Sequence, residues 1–531
     1  MTQSNADTAD ADADAADAAQ PSPGGRSGLR GHPWLTLITL SVGAMMVSLD
    51  GTIVTVAQPA MQERLHASLA QVQWVTNGYL LAVAALLITA GKLGDRFGHR
   101  TVFLIGAAGF TLSSAAIGAS PDIGWVIAFR VLQGVFGALM QPATLGLLRT
   151  AFPGEKINMP IAVRSGVIAA STAAGPIVGG LLVEHVGWQW VFFLNLPVGA
   201  LAIVAGLLVL RDVRVHDPAR SGAFDVPGVV LLSASLCSLI WGLTKASGYG
   251  WGDLRTVGCI GGALGLGAVF VWWQGRAADP LVPLRIFRSV QLSAGVVLMT
   301  VMAFVMVGSP FVLVFYLQNV LGLSPAQCGV RVLGLTLLMI VGAPLAGMWM
   351  HRAGARVPVV SGMLAIAAAM VALSQLDAHA GTVLTSLCFF LLGLGFSPVM
   401  VAATKLVIGS APVELSGVAG GLQQTSMQVG GSLGTAVLGT VIGAHTGSVL
   451  PGRLADAAVP DMPPAWYEST VEAVSVGLAP DLPVSGRVAA ALRGIAEQTF
   501  LEGMERALLV AAGVAFLGAL TGLLVKGKPR A

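Results

Sequence analysis

Apolar residues dominate this chain in long runs, separated by short polar or charged stretches. Fourteen runs are near the length that crosses a hydrocarbon core as an α-helix, about 20 residues. They lie at about 34–57, 74–91, 101–119, 124–148, 161–184, 190–210, 226–246, 255–274, 291–317, 330–350, 357–375, 382–408, 418–444 and 505–525. None alternates as a barrel strand would, and in lipid only helices or closed barrels satisfy their own backbone groups. The pattern predicts an all-α polytopic membrane protein with 14 transmembrane helices.

An even number of spans puts both chain ends on one side. On that side the loops and tails hold about 19 of the 29 Lys and Arg residues, against about 8 on the other. The positive-inside rule then places both termini in the cytoplasm and the protein in the cytoplasmic (cell) membrane, multi-pass. The opposite, extracellular side carries one long loop at about 445–504. Its run Val488 to Phe500 is amphipathic and is expected to lie on the membrane surface or to cover the outer mouth.

Composition agrees: 55% of residues are hydrophobic and 10% charged, where a soluble domain has about 25% charged. The net charge of +3 gives no basis for nucleic-acid binding. Cys237, Cys259, Cys328 and Cys388 lack metal or redox spacing, and the histidines are scattered. The chain therefore offers no ligand set for a metal or cofactor, and no polar cluster of the kind a membrane enzyme needs. Residues 1–31, with Asp7, Asp10, Asp12, Asp14 and Asp17 among alanines, read as a disordered cytoplasmic tail and not a signal peptide.

Charge inside the runs carries the chemistry. Asp50 lies about 16 residues into the first span, roughly 24 Å along a helix axis. A carboxylate at membrane depth costs about 2.5–3.5 kcal/mol on insertion scales, so it usually marks an ion or proton path. Arg130 lies about six residues into the fourth span. There, snorkelling to the cytoplasmic surface is strained, whereas a fixed cation facing a cavity lowers the pKa of a nearby acid. Arg164 and Arg331 sit nearer span ends and read as snorkelling or packing residues. The alternative for Asp50 is a capped polar residue that orders its helix, and for Arg130 a hydrogen-bond hub.

The chain repeats itself. Gly91-Lys-Leu-Gly-Asp-Arg-Phe-Gly-His-Arg100 and Gly347-Met-Trp-Met-His-Arg-Ala-Gly-Ala-Arg356 share the pattern Gly-x4-Arg-x-Gly-x-Arg. Two six-helix bundles follow, at 32–212 and 289–526, with two inserted helices and their linkers at 213–288 and a cytoplasmic tail at 527–531. In the first copy the glycines permit a tight turn and close helix approach. Asp95 is placed to accept from Arg100 and from backbone N–H groups at a facing helix end. Gly91, Asp95, Arg96, Gly98 and Arg100 thus form a candidate cytoplasmic gate.

Gly91–Arg100 resembles the loop 2–3 signature of the major facilitator superfamily, whose two bundles rock around a midplane site. Leu49-Asp-Gly-Thr-Ile-Val-Thr-Val-Ala-Gln-Pro-Ala-Met61 resembles the first-span motif of its fourteen-spanner drug:proton antiporters, the EmrB/QacA type. Arg130-Val-Leu-Gln-Gly134 resembles that family's proton-transfer motif in the fourth span. Gly166 with Gly175-Pro-Ile-Val-Gly-Gly180 resembles its fifth-span antiporter motif. Smaller likenesses include Trp188 to Gly199, Phe224-Asp-Val-Pro-Gly228 and Tyr316 to Pro325; Gln189 and Met427 stand where relatives often carry arginine.

The resemblance implies a proton-coupled exporter, working as a monomer in the bilayer, with Asp50 and Arg130 coupling the proton. In the antiporter motif, Gly166, Gly175, Gly179 and Gly180 would pack closely and Pro176 kink the helix, sealing against proton leak. The alternative is a facilitator or importer of a small metabolite. The second half holds little acid at membrane depth, while Met302 and Met306 supply soft apolar surface. The expected substrates are therefore neutral or weakly acidic planar hydrophobic compounds, such as aromatic polyketides, and not dicationic dyes.

Overall fold

A computed structural model describes residues 29–67, 69–152, 157–211, 224–323, 325–456, 470–471, 473–479 and 486–526. The expected N-terminal tail lies almost wholly outside the described residues. Among them, fourteen helices are long and apolar enough to span a membrane. They are α1 (Pro33–Arg64), α2 (Leu69–Phe97), α3 (His99–Gly118), α4 (Ile123–Ala151), α5 (Asn158–His185), α6 (Gln189–Val209) and α7 (Val226–Tyr249). The series continues with α8 (Leu254–Gln274), α9 (Val290–Phe315), α10 (Pro325–Ala353), α11 (Arg356–Ser374), α12 (Thr382–Ser410), α13 (Ser416–Asp456) and α14 (Gly486–Leu523). Their outward faces remain apolar, with Leu112, Leu254 and Val383 exposed, as suits contact with lipid and not water.

Local chemistry sets the helix starts. Asp122 accepts from Gly124 N and Trp125 N at the head of α4, and Ser289 accepts from Leu292 N at the head of α9. Gly98, at φ +92°, is the whole turn between α2 and α3. The Gly91–Arg100 stretch, read from sequence as a loop, is therefore mostly the last turns of α2 and the start of α3.

The internal repeat is visible in the packing. In the first half α1 packs on α5, α2 on α4 and α3 on α6; in the second, α9 packs on α13, α10 on α12 and α11 on α14. The halves meet where α2 and α4 contact α13 and where α5 contacts α10. At the α2–α13 crossing a Cβ on Gly91 would strike the Gly417 carbonyl, and one on Gly421 would come within 2.6 Å of Ile88 Cα. This end of the seam lies on the face that carries both chain ends.

The inserted pair α7–α8 is a hairpin laid beside that seam. Ser233 Oγ donates to the Ala85 carbonyl (2.9 Å), Trp241 stacks on Trp74 (5.0 Å between centroids), and Trp251 Nε1 donates to Thr440 Oγ1 (2.6 Å). So α7 and its turn reach both halves.

Within the long loop expected at 445–504, the described residues are largely helical. α13 continues to Asp456 and α14 begins at Gly486, so Val488 to Phe500 is the first part of α14. Leu450, Leu454, Val474, Leu492 and Ala496 bury one another there, and Glu502 binds Arg453 (2.5 Å) and lies 3.1 Å from His445. The amphipathic face is satisfied by a neighbouring helix, which leaves it no reason to lie flat on lipid.

Asp225 clasps the hairpin on the terminal face. Its carboxylate accepts from Gly228 N (2.9 Å), Trp273 Nε1 (2.7 Å), Gln274 Nε2 (2.6 Å) and Leu281 N (3.1 Å). Burial alone raises the carboxyl pKa, but these hydrogen bonds outweigh it and hold it below the ordinary value. A depressed folded pKa makes the stabilisation complete above the unfolded value, about 4, and lost as pH falls through the folded one. Asp225→Asn should therefore lower stability by about 1–3 kcal/mol near neutral pH. Melting curves of wild type and variant in detergent should converge as the medium is acidified; a gap that persists in acid would contradict this account.

Candidate functional site

Asp50 faces the interior of the first bundle and is fully buried, and Arg130 is 1% exposed. Arg130 Nη1 donates to Asp50 Oδ2 at 2.6 Å and to Gln133 Oε1 at 2.5 Å, while Nε donates to the Val75 carbonyl at 3.0 Å. Asp50 Oδ1 accepts from Gln133 Nε2 (3.1 Å) and Asn195 Nδ2 (2.9 Å). Both amides also donate to Ser114 Oγ, at 2.6 and 3.2 Å. The guanidinium lies 4.2 Å from the centroid of the Tyr79 ring and 5.8 Å from that of Phe192, close enough for cation–π attraction. Each oxygen of the carboxylate is thus bonded in a water-poor setting, where an unpaired charge would be costly.

The two residues singled out from sequence are brought together, but not as expected. α4 descends from the face opposite the chain ends, so a position near its start is near that opposite face. Arg130 therefore does not snorkel toward the terminal side, and it lies within the bundle, not on a cavity wall. Gln133, Ser114, Asn195 and Tyr79 complete the cluster, and none of them has a role assigned from sequence. Gln133 sits one turn after Arg130 in Arg130-Val-Leu-Gln-Gly134, and Asn195 in the Trp188–Gly199 stretch, so both had a motif to mark them. Ser114 had no signal.

The candidate gate residues meet a helix end. Asp95 Oδ1 and Oδ2 accept from Gly417 N (2.8 Å) and Val418 N (3.0 Å), the orphan donors at the start of α13. His99 Nε2 lies 3.1 Å from Asp95 Oδ1 and 3.3 Å from Ser416 Oγ. Arg100 does not join Asp95; it donates to the Leu207 carbonyl at 3.2 Å, at the end of α6. Arg96 lies against the rings of Phe97 and Phe224. A second clamp escaped the sequence reading: Arg149 donates to the carbonyls of Ile408, Ala411 and Pro412 around the end of α12.

The glycines of the fifth span divide between two partners. Side chains at Gly175 and Gly179 would collide with Thr52 and Ile53 of α1, whereas Gly166 faces the Ile340 carbonyl of α10. Gly180 faces open space and takes no part in the packing. α5 runs on as helix past Pro176 to His185.

Between the halves lies a cavity of about 220 Å³. One wall is α5 (Ser165, Ile168, Ala169, Thr172); the others come from α9, α10, α12 and α13, with Met302, Met306, Met339, Met400, Met427 and Phe396. Among the described residues no Asp or Glu lines it. Gln423 presents its amide to the sulfurs of Met299 and Met427. Among the described residues no group of three or more His, Cys, Asp or Glu side chains is placed to hold a metal ion.

The sequence profile of the Major Facilitator Superfamily matches residues 40–435. The chain belongs to the major facilitator superfamily. Its relatives include a tetracenomycin C resistance and export protein from Streptomyces glaucescens, 54% identical over 94% of this chain and 93% of the relative. A puromycin resistance protein from Streptomyces alboniger is 34% identical over 84% and 88%. The superfamily fold is also seen in the solved proton:xylose symporter XylE, at TM-score 0.58 and 13% identity, covering 92% of this chain and 94% of that one. The family and these relatives make the protein a transporter.

Removing one partner of a buried ion pair costs about 3–5 kcal/mol. Arg130→Ala should lose stability on that scale, and adding Asp50→Ala should restore most of it, as read from melting of the purified variants. Simple addition of the two losses would show that the residues do not act as a unit.

At the gate, Asp95→Ala removes the anion from the α13 N-terminus without touching the cavity. Turnover in proteoliposomes should fall while substrate Kd holds. The reverse, weaker binding with unchanged turnover, would move Asp95 out of the gate.

Proposed function

We propose that the protein is a proton-coupled exporter of hydrophobic drugs or natural-product antibiotics across the cytoplasmic membrane, conferring resistance on its host. Both termini face the cytoplasm, and one chain suffices for transport. The observation that carries the proposal is the fully buried Asp50–Arg130 pair, a titratable carboxylate inside the bundle of a transporter. Relatives named for resistance and export supply the direction of transport.

In this reading the structure has its cytoplasmic side shut. Asp95 and Arg149 hold the ends of α13 and α12 there, and Gly91 meets Gly417. Asp50 is ionised while Arg130 Nη1 is 2.6 Å away. Rearrangement of the bundle draws the guanidinium off, and a proton replaces it as the neutralising charge. The side chains that hold Asp50 Oδ1, Gln133 and Asn195, keep the carboxyl in place through both states. The substrate lies between the halves, against methionines that adapt to planar apolar shapes. With no carboxylate on its walls, the cavity favours neutral or weakly acidic compounds over dications.

Asp50→Asn keeps the shape of the site but cannot carry a proton. In inverted vesicles with an acidified lumen, wild type should accumulate an aromatic antibiotic, and Asp50→Asn should insert normally yet fail to do so. Accumulation by the variant at the wild-type rate would sink the role of Asp50. Loss of compound from wild-type vesicles under the same gradient would instead indicate an importer.

A further inference from the structure

Three arginines in the described spans are provided with oxygens. Arg130 has Asp50, Gln133 and the Val75 carbonyl; Arg149 has three carbonyls; Arg331 has the Ala380 carbonyl and Thr385 Oγ1. Arg164 differs from these. It sits on α5, 4% exposed, and its Nε has no hydrogen-bond partner. Among the described residues, no ion pair or hydrogen bond involves its guanidinium. A cation buried without a counter-charge is costly. Arg164, expected from sequence to snorkel or pack, is almost wholly buried with no counter-charge paired to it among the described residues.

Arg164 borders a hollow of about 10 Å³, about the space that one water-sized group occupies. Ser48, Gln141 and Thr144 give this hollow a partly polar wall. Ile168, one turn further along α5, lines both the hollow and the large apolar cavity. Ser165, the neighbour of Arg164, also lines the large cavity. The cation therefore stands beside the methionine-lined space, in a recess the size of a single oxygen.

We propose that Arg164 is an anion-binding subsite of the transport cavity. It takes one ionised oxygen (a phenolate, enolate or carboxylate) of a planar apolar compound whose body lies among the methionines. The substrate itself then supplies the counter-charge that the protein withholds, so the compound is carried as a monoanion. A guanidinium stays charged at any working pH and directs several donors at one oxygen, whereas neutral or cationic analogues leave it unpaired. This inference rests on the reading of the cavity as the substrate site, but not on how transport is driven.

The test is equilibrium binding of two fluorescent probes of one shape, pyrenecarboxylate and pyrenemethanol, to the purified full-length protein in nanodiscs. Wild type should bind both, the anion more tightly. Arg164→Gln should weaken the carboxylate by about tenfold or more, the worth of one charge-assisted hydrogen bond, and the alcohol by no more than about twofold. Arg164→Lys should retain most of the anion preference. Equal losses for both probes, or none, would overturn the subsite while leaving the cavity intact as a binding site. Binding of neither probe by wild type would overturn the cavity reading and the subsite together. If the glutamine variant does not fold, wild type alone decides: its affinity for hydroxypyrene should climb as pH passes through the ionisation of the probe, and a flat profile would overturn the proposal.

Discussion

A carboxylate and a guanidinium enclosed in a bundle that is itself enclosed in lipid have no solvent to fall back on. Each must be compensated by the other or by polar groups brought to it. In this protein that requirement draws on nearly every helix of the first half. Asp50 comes from α1, the Val75 carbonyl and the Tyr79 ring from α2, Ser114 from α3, Arg130 and Gln133 from α4, and Asn195 from α6. Apolar residues such as Ile53, Val54, Val126 and Phe192 pack around the cluster. Apolar residues of similar volume would join the same helices without the desolvation cost. Stability alone does not call for a charge pair here, which is why its presence points toward work done by the charge.

The contact between the halves is built on a different principle. Its closed end relies on backbone meeting backbone, Gly91 against Gly417 and Gly421 against Ile88. Two side chains of the first half then hold helix ends of the second: Asp95 the start of α13, Arg149 the end of α12. These bonds go to groups that any helix end leaves unsatisfied and that water can serve once the seam opens. Breaking them therefore costs little, unlike the breaking of a pair sealed in the bundle core. Contacts of this kind suit the seam to the opening and closing proposed for it.

The spans and the two-bundle plan were legible because lipid imposes a length and a composition that sequence displays directly. Which way each side chain points was not. A helix that is apolar on its lipid face and apolar on its core face has no strong amphipathic signal, so nothing local marked Ser114 as a partner of Asn195. Arg130 was placed at the wrong face by counting from the start of its run without following the direction of α4. The helical extensions of α13 and α14 were missed because Pro451 and a mixed, partly charged sequence read as loop, whereas the helices there stabilise each other through Leu450, Leu454 and Leu492. Arg164 shows the same limit: proximity to a span end suggests an easy route to water, and only packing reveals how deeply the side chain is buried.

Among the described residues the Asp50–Arg130 cluster and the cavity share no side chain, so any coupling between them needs a mechanical link. α5 touches both sides. Along one stretch Gly175 and Gly179 lie against Thr52 and Ile53 of α1, immediately after Asp50, close enough that any side chain there would collide. Along another stretch of the same helix Ser165, Ile168, Ala169 and Thr172 form a wall of the cavity, with Arg164 beside them. Contact this close, glycine backbone against the β-branched side chains of Thr52 and Ile53, lets little motion be absorbed by rotamers, because such side chains are stiff and interfaces so packed shift as bodies. A displacement of α1 on loss of the Asp50–Arg130 bond would thus be passed to α5 and on to the cavity wall. By this geometry the glycines of α5 are a contact through which movement of α1 beside Asp50 would reach the wall of a cavity that Asp50 does not touch.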